Sequence, residues 1–202
     1  MRGVTTEPPV LEYIQTAGQE LQRASQVVHH SLKFHRQSTR PQPERISDLL
    51  ASTLAVYEPR FKQAGIGIIS EFSDRREVQC YGSELRQVFA NLIGNAFDAM
   101  RAGCTLRLKV RDGRDQRTGE EGIRVTIADT GSGMNENTRQ HLFDPFFTTK
   151  GINGSGLGLW VNSEILERHS ATVHLKSKPG DIGSGTIFYI FVPPNAIGLD
   201  PN

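Results

Sequence analysis

The chain has 202 residues and a mass of 22.4 kDa, and its 37% hydrophobic and 22% charged residues are typical of one globular domain with an appendage. Lysine and arginine number 23 against 22 aspartate and glutamate residues, and this formal charge of +1 gives no electrostatic reason to expect nucleic acid or an anionic membrane as partner. Two cysteines exclude a disulfide scaffold and favour a cytoplasmic compartment, and no apolar run is long enough to span a bilayer.

The first forty residues are predicted to be separate from the globular part. Residues 1–9 lack the apolar core of a signal peptide, and we expect a disordered leader there. Over residues 10–38, apolar and small residues recur at alternating spacings of three and four, which predicts one heptad-like helix in a unit ending at residue 40. Such a helix cannot bury its seam alone, so we expect a missing hairpin mate or a second copy of the chain beside it.

Residues 41–197 are predicted to form the globular domain, followed by a tail at 198–202. Helices are predicted over 46–63, 83–101 and 157–168. Strands are predicted over 66–72, 78–81, 106–110, 123–127, 172–177 and 186–192, with a charged hairpin loop at 112–122 and a glycine-rich turn at 179–185. This order predicts an α+β fold, a two-layer α/β sandwich in which a mixed sheet carries its helices on one face.

The helix at 83–101 carries an unusual polar stripe. At about 100° per residue, Glu84, Asn91, Asn95 and Asp98 fall together beside its apolar face. Two asparagines four residues apart are poor helix formers, and a solvated face would normally carry lysine, glutamate and arginine. An asparagine carbonyl can bind Mg²⁺ and its amide can donate to phosphate, so a ligand site is one interpretation. A pair of polar surface residues is the other.

The segment IRVTIADTGSGM predicts a strand that ends at Asp129, followed by Gly131 and Gly133. A carboxylate at a strand end can accept a hydrogen bond from an exocyclic amine such as that of adenine, and it would repel the carbonyl of guanine. The two glycines would let the backbone approach a planar base closely. An ordinary Asp–Gly turn is the alternative interpretation.

The segment LFDPFFTTKGINGSGLGLW places four glycines between positions 151 and 158, just before a predicted helix. Backbone N–H groups at such a helix start make an anion site, and Lys150 is the nearest cation. The segment lacks the Gly-Lys-Ser/Thr ending of a P-loop and the spacing of a dinucleotide fingerprint. A flexible linker is the alternative, but three phenylalanines are expected to anchor the base of this loop: Phe143, Phe146 and Phe147.

Taken in order, NLIGNAFDA, DTGSGM, LFDPFFTTK, GSGLGL and GSGTIFYIFVP resemble the ATP-binding domain of sensor histidine kinases, within the ATPase superfamily of gyrase, MutL, heat-shock chaperones and histidine kinases. The resemblance covers about residues 44–194 and implies a Bergerat-type fold with ATP and Mg²⁺ as cofactors. It makes Asn95 the Mg²⁺ ligand, Asn91 its companion on the phosphate side and Asp129 the reader of adenine. The implied catalytic residues are Asn91, Asn95 and Lys150. The implied nucleotide-binding residues are Asn91, Asn95, Asp98, Asp129, Gly131, Gly133, Met134, Phe146, Thr149, Lys150, Gly154, Ser155, Gly156, Leu157, Gly158, Leu159 and Thr186.

The resemblance also implies an activity and partners. Such kinases transfer the γ-phosphoryl group of ATP to a histidine on a separate helix and then to an aspartate of a response regulator. The helix at 10–38 resembles the second helix of the dimerisation and phosphotransfer hairpin, which implies a homodimer in the full-length protein and a receiver domain as partner. His29, His30 and His35 lack the acidic neighbour of a phosphoacceptor box, so we expect the acceptor histidine to lie outside this chain.

Two departures from the family pattern stand out. The resemblance implies that Lys150 and residues 154–159 belong to a mobile lid over the triphosphate. Asp98 occupies a position that is often basic and reaches phosphate, so we expect that contact to be weakened and to shift to Lys150 or the rest of the lid. Ser170 and Ala171 replace a common Gly-Gly pair after ILERH, so we expect a different turn there.

Two other functions remain open on the sequence. A hydrolase of the gyrase or MutL kind needs a glutamate four residues before the metal asparagine, where this chain has Asn91, which cannot act as a base. A nucleotide-sensing or dimerising module without catalysis is the third hypothesis. Asn95, Asp129 and the lid glycines, all present, argue against it.

Overall fold

The computed structural model describes residues 40–115, 117–151, 154–180 and 183–197. The predicted leader, the predicted helix at 10–38 and the tail at 198–202 lie outside the described residues. The elements, in chain order, are β1 (Gln42–Glu44), α1 (Ile46–Gln63), β2 (Gly67–Phe72), β3 (Val78–Cys80), α2 (Gly82–Ala99), β4 (Thr105–Arg114), β5 (Glu121–Asp129), α3 (Glu136–Gln140), α4 (Gly158–Arg168), β6 (Thr172–Lys178) and β7 (Gly185–Val192).

Five strands form one mixed sheet in the order β2-β4-β5-β7-β6. The β2–β4 pair is parallel, and the other three pairs are antiparallel. Helices α1, α2 and α4 form the second layer, with α2 in contact with both of the others. The predicted two-layer α/β sandwich with a mixed sheet is therefore confirmed. The strand predicted at 78–81 is β3, which pairs with the short β1 in a separate two-stranded sheet.

Alternation along the strands produces the core. Inward positions of β4 and β5 pair directly, so that Leu108 lies opposite Ile127 and Val110 opposite Val125. All four of these side chains are buried, and so are Leu85, Val88, Phe89 and Leu92 on the apolar face of α2. The two periodicities, 2.0 in the strands and 3.6 in the helix, thus bring two apolar surfaces together between the layers.

The charged hairpin loop is shorter than the sequence predicts. Strands β4 and β5 stay paired as far as Arg114 and Glu121, which leaves only residues 115–120 between them. The charged residues tolerate this pairing because Arg114 Nη2 lies 2.9 Å from Glu121 Oε1 across the strands. Gly122 is also required, because a Cβ there would lie 2.6 Å from the Phe191 ring.

The start of α2 is joined to the end of α4. Glu84 is buried, and Arg168 Nη1 donates to its Oε1 at 2.6 Å. Glu84 belongs to the predicted polar stripe, but it lies far along the helix from Asn95 and contacts α4 instead of a ligand site. The turn after α4 places Ser170 at φ 49, a left-handed conformation that glycine adopts more easily. No helix within the described part of the chain is long and apolar enough to cross a membrane.

Candidate functional site

A cleft of about 560 Å³ opens between α2, the end of β5 with the segment after it, and the start of α4. It brings together most of the predicted site residues: Asn91, Asn95, Asp98, Asp129, Gly133, Met134, Thr149, Lys150, Gly154, Ser155, Gly156, Gly158, Leu159 and Thr186. Three predicted residues, Gly131, Phe146 and Leu157, lie outside this lining. The first and last of the predicted residues in the lining, Asn91 and Thr186, are more than 90 positions apart in the chain, so the cleft is assembled by the fold.

The carboxylate of Asp129 lies in the wall of the cleft where β5 ends. It is 8% exposed, and its Oδ1 accepts a hydrogen bond from the Gly131 N–H at 2.9 Å. The backbone N–H of Thr186 also donates to it. Burial raises the pKa of this carboxyl, and the two backbone hydrogen bonds partly oppose that effect. The two backbone hydrogen bonds fix the Asp129 carboxylate in position as an acceptor, and an exocyclic amine is a complementary donor.

The hydroxyl of Thr186 lies beside Asp129 in a small network. Ser177 Oγ donates to the Gly185 carbonyl oxygen at 3.1 Å and accepts from the Met134 N–H at 2.8 Å. Ser177 Oγ also lies 3.0 Å from Thr186 Oγ1. Since a hydroxyl has one hydrogen, Thr186 must donate in this last contact, which leaves its oxygen as an acceptor. Ser177 was not predicted, because its role depends on strand pairing.

The glycines after Asp129 have a structural requirement in addition to the predicted close approach to a base. A Cβ at Gly131 would lie 2.5 Å from the Ala99 carbonyl oxygen. Gly133 has φ 67, and a Cβ there would lie 2.0 Å from the Lys178 carbonyl oxygen. Both glycines are therefore required by contact with neighbouring backbone, and Gly131 packs behind the cleft wall.

Asn91 joins α2 to the start of α4. Its Nδ2 donates to the Gly158 carbonyl oxygen at 3.0 Å and to Asn162 Oδ1 at 2.7 Å. Asn162 in turn donates to the Val88 carbonyl oxygen at 3.3 Å. Both amide hydrogens of Asn91 are thus engaged, so donation to a phosphate does not fit this arrangement. Its carbonyl oxygen is the atom suited to a ligand.

Lys150 crosses the cleft to α2. Its Nζ lies 2.9 Å from Asn95 Oδ1 and 2.6 Å from Asp98 Oδ2. The ammonium therefore contacts Asn95, which the sequence predicts to be the metal ligand. An amide oxygen and a carboxylate oxygen are hard donors that fit Mg²⁺. The described residues include no cluster of three or more histidine, cysteine, aspartate or glutamate side chains that could hold a metal ion.

The segment before α4 is closely packed at two glycines. A Cβ at Gly154 would lie 2.1 Å from Thr148 Oγ1, and Gly156, at φ 65, would place one 2.3 Å from the Phe146 carbonyl carbon. Phe146 itself has φ 66 and is 57% exposed, so the prediction that its ring anchors the loop is wrong. Leu157 is buried and does not line the cleft.

Several lining residues were not predicted. Small and apolar side chains account for most of them, and such residues carry no chemical signal in a sequence. They are Ala96, Ala99, Ser132, Thr138, Leu142, Phe147, Thr148 and Phe188. Ala96 and Ala99 could have been found, since they follow Asn95 and flank Asp98 on the same helix.

Comparison with known families agrees with this geometry. The family described as "Histidine kinase-, DNA gyrase B-, and HSP90-like ATPase" matches residues 81–196, which is more than half of the chain. The chain belongs to this family of ATPases. That range contains α2, the whole cleft and four of the five strands of the main sheet.

Individual relatives are similar over much of the chain. The signal transduction histidine-protein kinase AtoS of Escherichia coli (strain K12) is 28% identical over 200 residues, which cover 98% of this chain and 31% of that protein. The sensor histidine kinase ZraS of Klebsiella oxytoca is 36% identical over 118 residues, which cover 58% of this chain and 24% of that protein. The chain thus spans about a third or less of the length of these curated relatives.

A solved structure shares the fold. A complex of the histidine kinase ThkA with the response regulator protein TrrA contains a chain that superposes with a TM-score of 0.65 at 19% identity. The match covers 97% of this chain and 54% of that one. At this identity the likeness shows the fold alone.

Proposed function

We propose that this chain is the ATP-binding catalytic region of a bacterial sensor histidine kinase, acting in the cytoplasm. In this proposal it binds ATP with Mg²⁺ and places the γ-phosphoryl group for transfer to a histidine on a separate helix, and then to an aspartate of a response regulator. One observation carries the proposal: the same cleft is lined by Asp129 in one part of its wall and by Asn91, Asn95 and Lys150 in another. Family membership and the kinase names of the relatives support it.

The chemistry asked of these residues is mainly positioning. Asp129 would accept the adenine amine, and the Thr186 oxygen would lie beside it at the same edge of the base. Asn95 would hold Mg²⁺, with Asn91 as its companion on the phosphate side, and Mg²⁺ neutralises charge on the phosphates when bound. The cleft itself provides no nucleophile, so an acceptor imidazole must be brought to it.

The wider organisation is part of the same proposal. Residues 41–197 would be the catalytic domain, and residues 10–40 the second hairpin helix through which the full-length protein forms a homodimer. The partner would be a response-regulator receiver domain. In support, the similar ThkA structure is a complex with a response regulator protein, TrrA.

Nucleotide selectivity tests the binding part. We expect calorimetry to show ATP and ADP binding in Mg²⁺ with much weaker binding of GTP. Asp129→Asn should weaken ATP binding about tenfold or more, because an amide hydrogen would then face the adenine amine. Asp48→Asn, which changes an exposed carboxylate on α1, is the matched control and should bind like the wild type. Equal affinity of the wild type for ATP and GTP would contradict the proposal.

Phosphotransfer distinguishes the kinase from a hydrolase. The chain should be incubated with γ-labelled ATP, alone and with a separately supplied hairpin that carries a phosphoacceptor histidine. We expect acid-labile label on the hairpin and negligible label on the chain itself. Rapid release of inorganic phosphate without labelled hairpin would favour the hydrolase, and label on His29, His30 or His35 would contradict the upstream placing of the acceptor.

A further inference from the structure

Two side-chain oxygens on α2 converge on a single cation. Asn95 and Asp98 are three residues apart, so they lie on the same side of the helix. Their Oδ1 and Oδ2 atoms are 2.9 and 2.6 Å from one point, the Lys150 Nζ. All three residues line the cleft, and the side chains of Asp98 and Lys150 are 46% and 39% exposed. The place that holds the ammonium is therefore open to the cleft.

We propose that Asp98 is a second protein ligand of the divalent cation. The cation would bind between Asn95 Oδ1 and Asp98 Oδ2, in the place that the Lys150 ammonium holds in this structure. The inference rests on the proposed function, since it concerns the metal that would accompany the nucleotide. The resemblance includes Asp98 among the nucleotide-binding residues, but neither the resemblance nor the family match makes it a metal ligand.

The chemistry of the two oxygens supports this assignment. Mg²⁺ binds one or two protein oxygens at about 2.0–2.1 Å and fills its octahedron with phosphate oxygens and water. A single neutral amide is a weak site, and a carboxylate three residues away adds the negative charge that a dication needs. The convergence on an ammonium shows that both oxygens reach one cation at the same time.

Because Asp98 is negatively charged, its effect on nucleotide affinity should change sign between metal-free and metal-containing solution. A carboxylate beside a polyphosphate repels it unless a cation lies between them. Asp98 should therefore oppose nucleotide binding in the absence of metal and favour it in the presence of metal. A residue that merely holds Lys150 in position would act through the lysine in both conditions, and its effect would vanish when the lysine is removed.

Lys150 becomes a competitor of the metal under this inference. When the dication binds, the ammonium must leave Asn95 and Asp98, and it is then available to the phosphates. Removing the ammonium should consequently leave the metal site intact. Lys150→Met is the variant that separates the two roles of Asp98, because methionine keeps much of the stem but carries no charge.

The experiment measures the affinity for ADP by calorimetry, with EDTA and with saturating Mg²⁺, for the wild type, Asp98→Asn, Lys150→Met and the double variant. We define the metal coupling as the dissociation constant in EDTA divided by the dissociation constant in saturating Mg²⁺. We expect Asp98→Asn to lower this coupling at least about tenfold, as loss of groups around a metal commonly does. The same variant should bind ADP about fivefold more tightly in EDTA. The loss of coupling should persist in the Lys150→Met background.

A second readout observes the metal itself. Electron paramagnetic resonance of Mn²⁺ in the ADP complex should show weaker Mn²⁺ binding in Asp98→Asn. Asp144→Asn is the matched control, since Asp144 is also held by a basic side chain, with Oδ2 2.7 Å from His141 Nδ1, but lies outside the cleft lining. Thermal unfolding checks that each variant is folded.

The outcomes separate this inference from the proposed function. If the wild type binds ADP but Asp98→Asn keeps the full metal coupling in either background, the second-ligand assignment is wrong and the proposed function stands. If the wild type binds no adenine nucleotide at all, both are wrong. A loss of coupling that disappears in the Lys150→Met background would also overturn the assignment, because Asp98 would then act only through the lysine.

Discussion

The two ends of α2 carry ion pairs of equal length and very different surroundings. At the start, Arg168 Nη1 lies 2.6 Å from a Glu84 carboxylate whose side chain is 8% exposed. Toward the end, Lys150 Nζ lies 2.6 Å from an Asp98 carboxylate that is 46% exposed. Breaking a buried pair leaves an uncompensated charge, whereas an exposed carboxylate is rehydrated at once. One end is thus suited to hold α4 in place, and the other to exchange its cation.

The buried end has further contacts that fix its geometry. His169 is fully buried, with Nδ1 donating to the Ile165 carbonyl oxygen at 2.8 Å and Nε2 accepting from the Tyr81 N–H at 3.1 Å. The Arg168 guanidinium also lies 4.3 Å from the centre of the Tyr81 ring. This network uses backbone and side chains from both helices, so a change in one member affects the junction of α2 and α4.

Removal of the buried cation should have the largest effect. Arg168→Met keeps most of the aliphatic stem but removes the guanidinium from both Glu84 and the Tyr81 ring. We expect the free energy of unfolding to fall by about 3 kcal/mol, the lower limit for a broken buried pair, because Arg168 is itself partly exposed. Urea denaturation measures it. Arg139→Met, which removes the partner of Glu136 on the exposed α3, is the control and should change it by less than about 1 kcal/mol.

The buried histidine should make stability depend on pH. Burial lowers the pKa of His169 below 6.5, so the folded state binds fewer protons than the unfolded state in the window between the lowered value and 6.5. The free energy of unfolding should therefore fall as the pH drops through that window, by at most about 1.4 kcal/mol per pH unit for one proton. Urea denaturation at several pH values measures the slope.

Two buried carboxyl groups limit this test to pH values just below 6.5. Burial raises the pKa of Glu84 and of Asp129, so both favour the folded state as the pH falls toward their unfolded values and oppose the histidine effect there. His169→Gln should lose the slope just below pH 6.5, and the exposed His141→Gln should keep it. A wild-type stability that is flat across this window would show that His169 is not held neutral by burial.

The sequence predicted the three longer helices and six of the seven strands of the described part of the chain because each has a local period, and it missed β1 and α3, which are too short to show one. It predicted most of the cleft because chemically distinctive residues mark it. Asn91, Asn95 and Asp129 stand out wherever they fall in the fold. The partners of these residues could not be predicted in the same way. Glu84 and Arg168 are 84 positions apart, and only the packing of α2 against α4 makes one the partner of the other.

Contacts between distant parts of the chain add requirements that the sequence pattern does not show. Gly131 and Gly133 were interpreted by close approach to a base, and contacts with the Ala99 and Lys178 backbone also require glycine at both positions. Phe146 was expected in apolar packing, although its left-handed backbone leaves its ring exposed. The residue types were informative, but neither the distant backbone beside the glycines nor the left-handed conformation of Phe146 could be predicted from the sequence pattern.

Removal of the exposed cation should have the smallest effect on stability, and it is the counterpart of Arg168→Met. Lys150→Met also takes a cation from a carboxylate 2.6 Å away, yet Asp98 and Lys150 are 46% and 39% exposed, so water replaces the lost contact. We expect the free energy of unfolding to change by less than about 1 kcal/mol, and by less still at high salt, where surface charges are screened. Urea denaturation of both variants under identical conditions measures the contrast. A loss as large as that of Arg168→Met would mean that the Lys150 contact holds the fold together, and the cation at this end of α2 would then not be exchangeable.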